Sequence, residues 1–177
     1  MAVFLDNLPF FLYTECISGV IKVIDNTNVK TLISAYRYIE KTCKAIDEYI
    51  YKHAVNFGPD PEICSTQKVI NNIIDLIERK NRLYKLKDVI DNCVDSLPLL
   101  EKQIIILKMR FRANAKTLQQ VLKISSERTA FRKIEQALEK FKILLNKSQF
   151  VDLIERIFVS EAWIARIHNA VMLDARL

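Results

Sequence analysis

The sequence predicts an all-α fold, and three observations carry that prediction. Only two of the 177 residues are glycine and four are proline, so the chain lacks the turn formers that a many-stranded β protein needs. Half of the residues are hydrophobic, which is enough for a sizeable core at this length. Apolar residues recur every three to four positions over long segments, as on one buried helix face. We therefore expect helices throughout, arranged as one domain or two small ones.

An N-terminal helical unit is predicted over residues 1–60. Apolar residues at helical spacing predict a helix over 8–25, and the polar cluster 25–28 ends it and can cap the next helix. A longer amphipathic helix follows from Val29 to about Val55. The stretch 56–61 reads Asn-Phe-Gly-Pro-Asp-Pro and cannot continue a helix, so we place the end of this unit there.

Residues 65–147 are predicted to hold a long helix followed by a helix-turn-helix. The long helix begins after a cap at Ser65 or Thr66 and spans about 30 residues, or about 45 Å, with a bend or break near Lys80 and Asn81. Such a sustained stripe predicts packing against a partner, either within the chain or in a dimer. Its apolar stripe consists of Val69, Ile70, Ile73, Ile74, Ile77, Leu83, Leu86, Val89, Ile90 and Val94.

The stretch 97–145 contains two short apolar-periodic segments, a turn and a longer basic helix, which is the pattern of a helix-turn-helix. Pro98 in the first turn and Glu101 near the positive end both favour a helix start at Ser96 or Leu97. Thr117 is predicted to cap the short second helix. The residues expected to face the core in these two helices are Leu99, Leu100, Gln103, Ile104, Ile106, Leu107, Phe111, Leu118, Val121 and Leu122.

The last helix of this stretch is predicted to begin at a Ser126 cap and to read DNA. In a helix-turn-helix the N-terminal half of this helix enters the major groove, where Arg reads guanine edges and Lys and Thr hold phosphates. Its predicted apolar stripe consists of Ala130, Phe131, Ile134, Ala137, Leu138, Phe141 and Leu145. The predicted DNA contacts are Lys116, Thr117, Ser126, Arg128, Thr129, Arg132, Lys133 and Gln136.

The positive charge of the chain is concentrated in the same stretch. Residues 99–147 contain twelve Lys or Arg and four Glu, a net charge of +8, whereas the whole chain carries +6. The remaining residues are therefore slightly acidic. Charge placed in this way indicates either a polyanionic partner for residues 99–147 or a solvated basic surface without a partner.

The residues from Asp95 to Phe141 resemble region 4 of bacterial sigma-70-type factors and the related small transcription regulators. The resemblance covers about a quarter of the chain and implies that the module binds promoter DNA or contacts RNA polymerase, with the helix from Ser126 as the reader. In that family a leading L-P-x-x-x-x-x-I-I-x-L helix precedes a recognition helix that opens as S-x-R-T and closes as A-L-x-K. The matching positions are Leu97, Pro98, Ile105, Leu107, Ser126, Arg128, Thr129, Ala137, Leu138 and Lys140.

The sequence departs from the family in two respects. Only eight residues run from Leu118 to Ser126, and Lys123 stands near the place where the family has Gly. A turn without Gly must avoid a positive φ or accept a conformation that L-residues disfavour. The first 95 residues also lack the clustered aromatic and basic residues of a promoter-melting region, which favours a regulator with a lone region-4-like module over a full sigma factor.

Residues 148–177 form an apolar helical extension, with Ser160 predicted to cap its second helix. Its apolar face requires a partner, and we expect it on the N-terminal unit, with a second subunit or another protein as alternatives. Cys16, Cys43, Cys64 and Cys93 are widely spaced and unpaired with His, so no metal site is expected and the thiols fit a reducing cytoplasm. No segment has the form of a signal peptide or a bilayer span.

The sequence leaves two functional hypotheses from different classes. The chain lacks a Gly-rich phosphate loop, paired His residues and a nucleophile elbow, so we expect neither catalysis nor a cofactor. The first hypothesis is a sigma-factor-like DNA-binding transcription regulator that uses duplex DNA and RNA polymerase as partners. The alternative is a helical protein-interaction module, docking on another protein or forming a homodimer through apolar helices, without sequence-specific DNA binding.

Overall fold

The computed structural model describes residues 23–55 and 66–174 and confirms the all-α fold. No strand is present among these residues. The seven helices are α1 (Asn26–Val55), α2 (Thr66–Asp95), α3 (Leu99–Phe111), α4 (Ala115–Val121), α5 (Glu127–Lys147), α6 (Val151–Ser160) and α7 (Ala162–Asp174). The helix predicted over 8–25 lies outside the described residues except for 23–25, which are not helical.

Helices α1 and α2 pack side by side in antiparallel directions. Asp25 caps α1 by accepting a hydrogen bond from the Asn28 amide at 2.7 Å. Three contacts connect the two helices, and residues later in α1 contact residues earlier in α2. Tyr36 donates to Asp91 at 2.6 Å, Lys87 pairs with Glu40 at 3.4 Å, and Lys80 pairs with Asp47 at 2.6 Å. The break predicted as one alternative near Lys80 and Asn81 is wrong, because α2 is one continuous helix through this point. The bend, the other alternative, stays a prediction.

Residues from the N-terminal, central and C-terminal segments belong to one buried cluster. Phe141 and Leu145 of α5 are fully buried in it, together with Ile39 of α1 and Leu83 of α2. Asn146 joins the end of α5 to the start of α1, since its amide donates to the Ile24 carbonyl at 2.9 Å and its Oδ1 accepts from the Ile24 amide at 2.8 Å. The helices predicted to read DNA are therefore fastened to α1 across 122 positions of sequence.

The C-terminal extension packs within the chain, as expected. Helix α6 contacts α2 and helix α7 contacts α1. The cap prediction for Ser160 is wrong, because Ser160 ends α6 and Glu161 separates it from α7. Glu161 is only 2% exposed and accepts hydrogen bonds from Arg79 Nε and Nη2 at 2.8 and 2.7 Å. It also accepts a third hydrogen bond, from Trp163 Nε1 at 2.7 Å.

The first half of α2 is less buried than its apolar stripe predicts. Leu83, Leu86 and Ile90 are fully buried, whereas Ile70, Ile74 and Ile77 are 40–48% exposed. The predicted stripe therefore does not form one continuous buried face. Its residues in the second half of α2 pack on the core, whereas these three isoleucines in the first half are exposed to solvent. Of the two residues predicted to cap α2, Thr66 is the first residue of the helix and Ser65 lies outside the described residues.

Candidate nucleic-acid interface

Of the first two helices of residues 97–145, α3 begins later than predicted and α4 begins earlier. Helix α3 starts at Leu99, after Pro98, because the Leu97 amide still donates to the Val94 carbonyl at the end of α2. Helix α4 is capped by Asn114 and not by Thr117. Asn114 Oδ1 accepts from the Thr117 amide at 2.8 Å and from the Thr117 hydroxyl at 2.9 Å, so Thr117 lies inside the first turn.

The turn between α4 and α5 contains a residue with positive φ although it has no Gly. Lys123 has a φ of 51°, in the left-handed region that favours Gly. Ile124, the next residue, is half-buried, and its amide donates to the Gln119 carbonyl at 3.0 Å. Lys123 thus has a left-handed backbone conformation and a side chain that is exposed to solvent.

Helix α5 begins at the predicted cap. Ser126 Oγ accepts a hydrogen bond from the Thr129 amide at 3.1 Å, and the two hydroxyl groups lie 2.9 Å apart. Both side chains are partly buried. Ser126 and Thr129 therefore hold the first turn of the helix in place, and their contact with DNA stays a prediction.

The exposed face of α5 brings together Arg128, Arg132 and Gln136, which recur every four residues along one side of the helix. Lys116 and Thr117 are also exposed, on the adjoining helix α4, which packs on α5. Lys133 is half-buried and lies nearer the protein body, where its charge acts on Glu101. The predicted DNA contacts thus fall into three groups. Five are exposed, Ser126 and Thr129 form the helix cap, and Lys133 is half-buried.

The two halves of α5 differ in how their cations are neutralised. Lys140 and Lys142 in the second half pair with Glu101 and Glu139. Arg128 and Arg132 in the first half, by contrast, form no ion pair with any described residue. A solvated but unpaired guanidinium keeps all of its donors free for a carboxylate or phosphate. The first half of α5 therefore carries two unpaired guanidinium groups, alongside the exposed carboxylates of Glu127 and Glu135.

Glu101 connects α3 to α5. Its side chain is buried beside α5 and forms an ion pair with Lys140, one of the positions that match the resembling family. The hydrogen bond from Lys140 holds the pKa of Glu101 below its ordinary value. The sequence predicts Glu101 only as an acidic residue near a helix start, and its ion pair with Lys140 was not predicted.

The predicted core faces of α3, α4 and α5 are wrong at five positions, one of which is the exposed Gln103. Leu99, Phe111, Val121 and Phe131 are 54–73% exposed. On α5 the buried face is formed by residues spaced three or four apart, and Phe131 lies one position, or about 100°, outside it. On α3 the buried apolar residues are Ile104, Ile105 and Met109.

The described residues contain neither a group of three potential metal ligands nor a helix long and apolar enough to cross a bilayer. Cys43 and Cys93 are buried as free thiols, and burial raises the pKa of both. Cys16 and Cys64 lie outside the described residues.

Comparison with protein-family models, curated proteins and solved structures gave no match.

Proposed function

We propose that this chain is a DNA-binding transcription regulator of sigma-factor-like type. In this proposal α4 and α5 act as a helix-turn-helix, α5 lies in the major groove of duplex DNA, and the chain has no catalytic activity. RNA polymerase is the proposed protein partner, and the resemblance of residues 95–141 to region 4 supports that part. The cytoplasm is the proposed location.

The observation that carries the proposal is the row formed by Arg128, Arg132 and Gln136. These residues are exposed on one side of α5, and the two arginines have no acidic partner among the described residues. Arg forms bidentate hydrogen bonds with guanine edges, and Gln does so with adenine. The cap at Ser126 fixes the start of the helix that carries the row.

The surroundings of α5 support its use as a rigid reader. Its buried side is anchored by fully buried Phe141 and Leu145, and its end is joined to α1 by Asn146. A helix held in this way presents its exposed side chains at a fixed angle, so little ordering is needed on binding.

The proposal is tested by fluorescence polarisation with duplexes selected from a random pool. Arg128→Ala or Arg132→Ala should weaken binding to a selected site by about 1–3 kcal/mol and relax the preference at one base position. Arg156→Ala on α6 is the matched control, since Arg156 is also exposed and outside the ion pairs of the described residues. Equal binding by all four proteins would contradict the proposal.

A second candidate function is that of an interaction module, and the solvent-facing side of α2 favours it. Exposed Asn81 and Tyr84 follow Ile70, Ile74 and Ile77 on the same side of α2, and the spacing between successive residues of this series alternates between four and three. This is the heptad spacing by which two copies of one helix pair, with Asn as a register-setting residue. The partner in this candidate is a second copy of the chain.

Sedimentation equilibrium separates this candidate from the first. Ile74→Glu should convert a dimer into a monomer, whereas Ile143→Glu, at a residue of α5 with similar exposure, should leave the dimer intact. A wild-type chain that remains monomeric at high concentration would exclude the second candidate and leave the first untouched.

A further inference from the structure

A cluster of cationic side chains lies outside the predicted DNA contacts, where α1 meets the loop that leads into α4. Arg37 and Arg112 both donate hydrogen bonds to the hydroxyl of Tyr38, from Nη2 atoms at 2.5 and 3.2 Å. Since both nitrogen atoms bond the same oxygen, they lie no more than 5.7 Å apart, the sum of these two distances. The two guanidinium groups therefore converge on one point although they are 75 positions apart in sequence.

No carboxylate among the described residues neutralises this cluster. Neither Arg37 nor Arg112 forms an ion pair there, and Lys41, whose charge also acts on Tyr38, has none either. The nearest acid along α1, Glu40, pairs with Lys87. Convergent like charges repel unless an anion lies between them.

Arg79, which bonds a buried carboxylate, shows the usual arrangement. Arg79 bonds the carboxylate of Glu161 with two parallel hydrogen bonds. Arg37 and Arg112 instead bond a neutral phenol, and each keeps most of its donors unused. The Arg37 hydrogen bond, together with the positive charges of Arg112 and Lys41, lowers the pKa of the Tyr38 hydroxyl.

The backbone holds Arg112 at this place in a conformation that costs free energy. Arg112 has a φ of 51° and a ψ of 35°, the left-handed conformation that usually falls to Gly at the end of a helix. Its amide closes α3 by donating to the Lys108 carbonyl at 3.1 Å. Arg112 and Lys123 are the described residues other than Gly with positive φ, and they flank the two ends of α4. Strained backbone that carries a charged side chain points to a functional position.

We propose that Arg37 and Arg112 together bind a backbone phosphate of the duplex, so that the DNA contact extends from α5 past α4 onto α1. This inference rests on the proposed function. Guanidinium groups match the geometry of phosphate oxygens and bind them with charge-assisted hydrogen bonds. Lys116, one of the contacts predicted on the helix-turn-helix, lies four residues after Arg112 and is exposed on α4.

A phosphate contact of this kind positions the protein on DNA without reading sequence. The loss of either arginine should therefore weaken binding to all duplexes alike, unlike the loss of Arg128 or Arg132. It should also reduce the salt dependence of binding, because each neutralised phosphate releases counterions.

The first arm of the test measures duplex binding over a series of salt concentrations. The double variant Arg37→Gln/Arg112→Gln should lower the magnitude of the slope of log K against log salt by about 1, because the two arginines neutralise one phosphate. The double variant Lys52→Gln/Arg156→Gln removes the same charge from exposed positions elsewhere and should keep the wild-type slope. Circular dichroism on all three proteins verifies that they are folded.

The second arm uses inorganic phosphate and needs no DNA. Trp163 is the single tryptophan of the chain, and its ring lies 6.5 Å from the ring of Tyr38. A phosphate that draws the guanidinium groups away from Tyr38 should change Trp163 emission, relative to chloride at the same ionic strength. That change should be absent in Arg37→Gln/Arg112→Gln.

The two arms separate the failure of this inference from the failure of the proposed function. If Arg37→Gln/Arg112→Gln binds duplexes with the wild-type affinity and slope, the phosphate contact is overturned while the helix-turn-helix function stands. If the wild type binds no duplex at all, the proposed function fails and the DNA contact fails with it. In that case a phosphate-dependent emission change would reassign the cluster to a phosphate on another ligand.

Discussion

Replacing Glu161 by alanine tests how the C-terminal helices are fastened to α2. The carboxylate of Glu161 is 2% exposed and accepts three hydrogen bonds, two from Arg79 and one from Trp163. Alanine removes all three acceptor contacts and leaves a cavity between α2 and the junction of α6 with α7. Arg79 then has no anionic partner.

The expected cost follows from the burial of the two charges. Removal of one partner from a buried ion pair costs about 3–5 kcal/mol. The Arg79 side chain is 37% exposed and can be rehydrated, so we expect the lower end, about 3 kcal/mol, for Glu161→Ala. Arg79→Ala should cost at least as much, because it leaves the more deeply buried charge unpaired. In a chain of 177 residues, 3 kcal/mol corresponds to a Tm decrease of about 6–12 °C.

Urea unfolding followed by the emission of Trp163 measures this cost directly. The double variant should be destabilised by less than the sum of the two single variants, with a coupling of about 1–3 kcal/mol. Asp47→Ala, which breaks the exposed pair with Lys80, is the control and should cost less than about 1 kcal/mol. A Glu161→Ala free energy of unfolding within 1 kcal/mol of the wild type would refute this reasoning.

Three further predictions concern the helices around the turn. Lys123→Gly should stabilise the chain by about 0.5–1 kcal/mol, which is the strain relieved at the positive φ less the larger chain entropy that Gly loses on folding. Lys123→Ala keeps the strain and is the control. An equal effect of the two substitutions in thermal unfolding would contradict this prediction. Glu101 has a pKa below its ordinary value of 4.5, so its pair with Lys140 stabilises the fold above pH 4.5 and is lost as the pH falls further. Glu101→Gln should therefore cost about 1 kcal/mol at pH 7 and progressively less below pH 4.5, whereas a constant difference in denaturant unfolding across that range would be evidence against the pair. Ser126→Ala should cost about 1 kcal/mol through loss of the cap, and Ser125→Ala, one residue earlier, should not.

The sequence was sufficient to predict the helices and most of their limits. Pro, Gly and capping residues act locally, so the end of α1, the extent of α2 and the Ser126 cap of α5 could all be derived from short stretches. The exposed row of Arg128, Arg132 and Gln136 was likewise predictable, since helical periodicity places these residues opposite the apolar stripe.

The register of α3 could not be predicted, for a physical reason. Residues 104–107 are consecutively apolar, so periodicity does not show which side of the helix is buried. The buried side of α3 also carries Glu101, which pairs with Lys140, 39 positions away. A charged residue on the buried face gives no signal in a hydrophobic pattern.

The parts of the candidate site that depend on distant residues were also missed. Arg37 and Arg112 meet at Tyr38 only because α1 packs beside α3, and neither arginine stands out in its own segment. The exposure of Ile70, Ile74 and Ile77 was missed for the opposite reason, since their spacing alone resembles that of a core face.

The central claim is that the first half of α5 and the start of α4 bind duplex DNA, and the salt dependence of that binding tests it most directly. A random duplex does not present the bases that Arg128 and Arg132 read, so on it we expect these arginines to contact phosphates, as Lys116 and Lys133 do. With about four phosphates neutralised, polarisation of a labelled random duplex should give an association constant that falls by about 10²-fold between 50 and 200 mM salt. The combined change Arg128→Ala/Arg132→Ala should reduce that fall to about 10-fold. Absence of binding at 50 mM salt, or a wild-type affinity that changes by less than about threefold across this range, would contradict the claim.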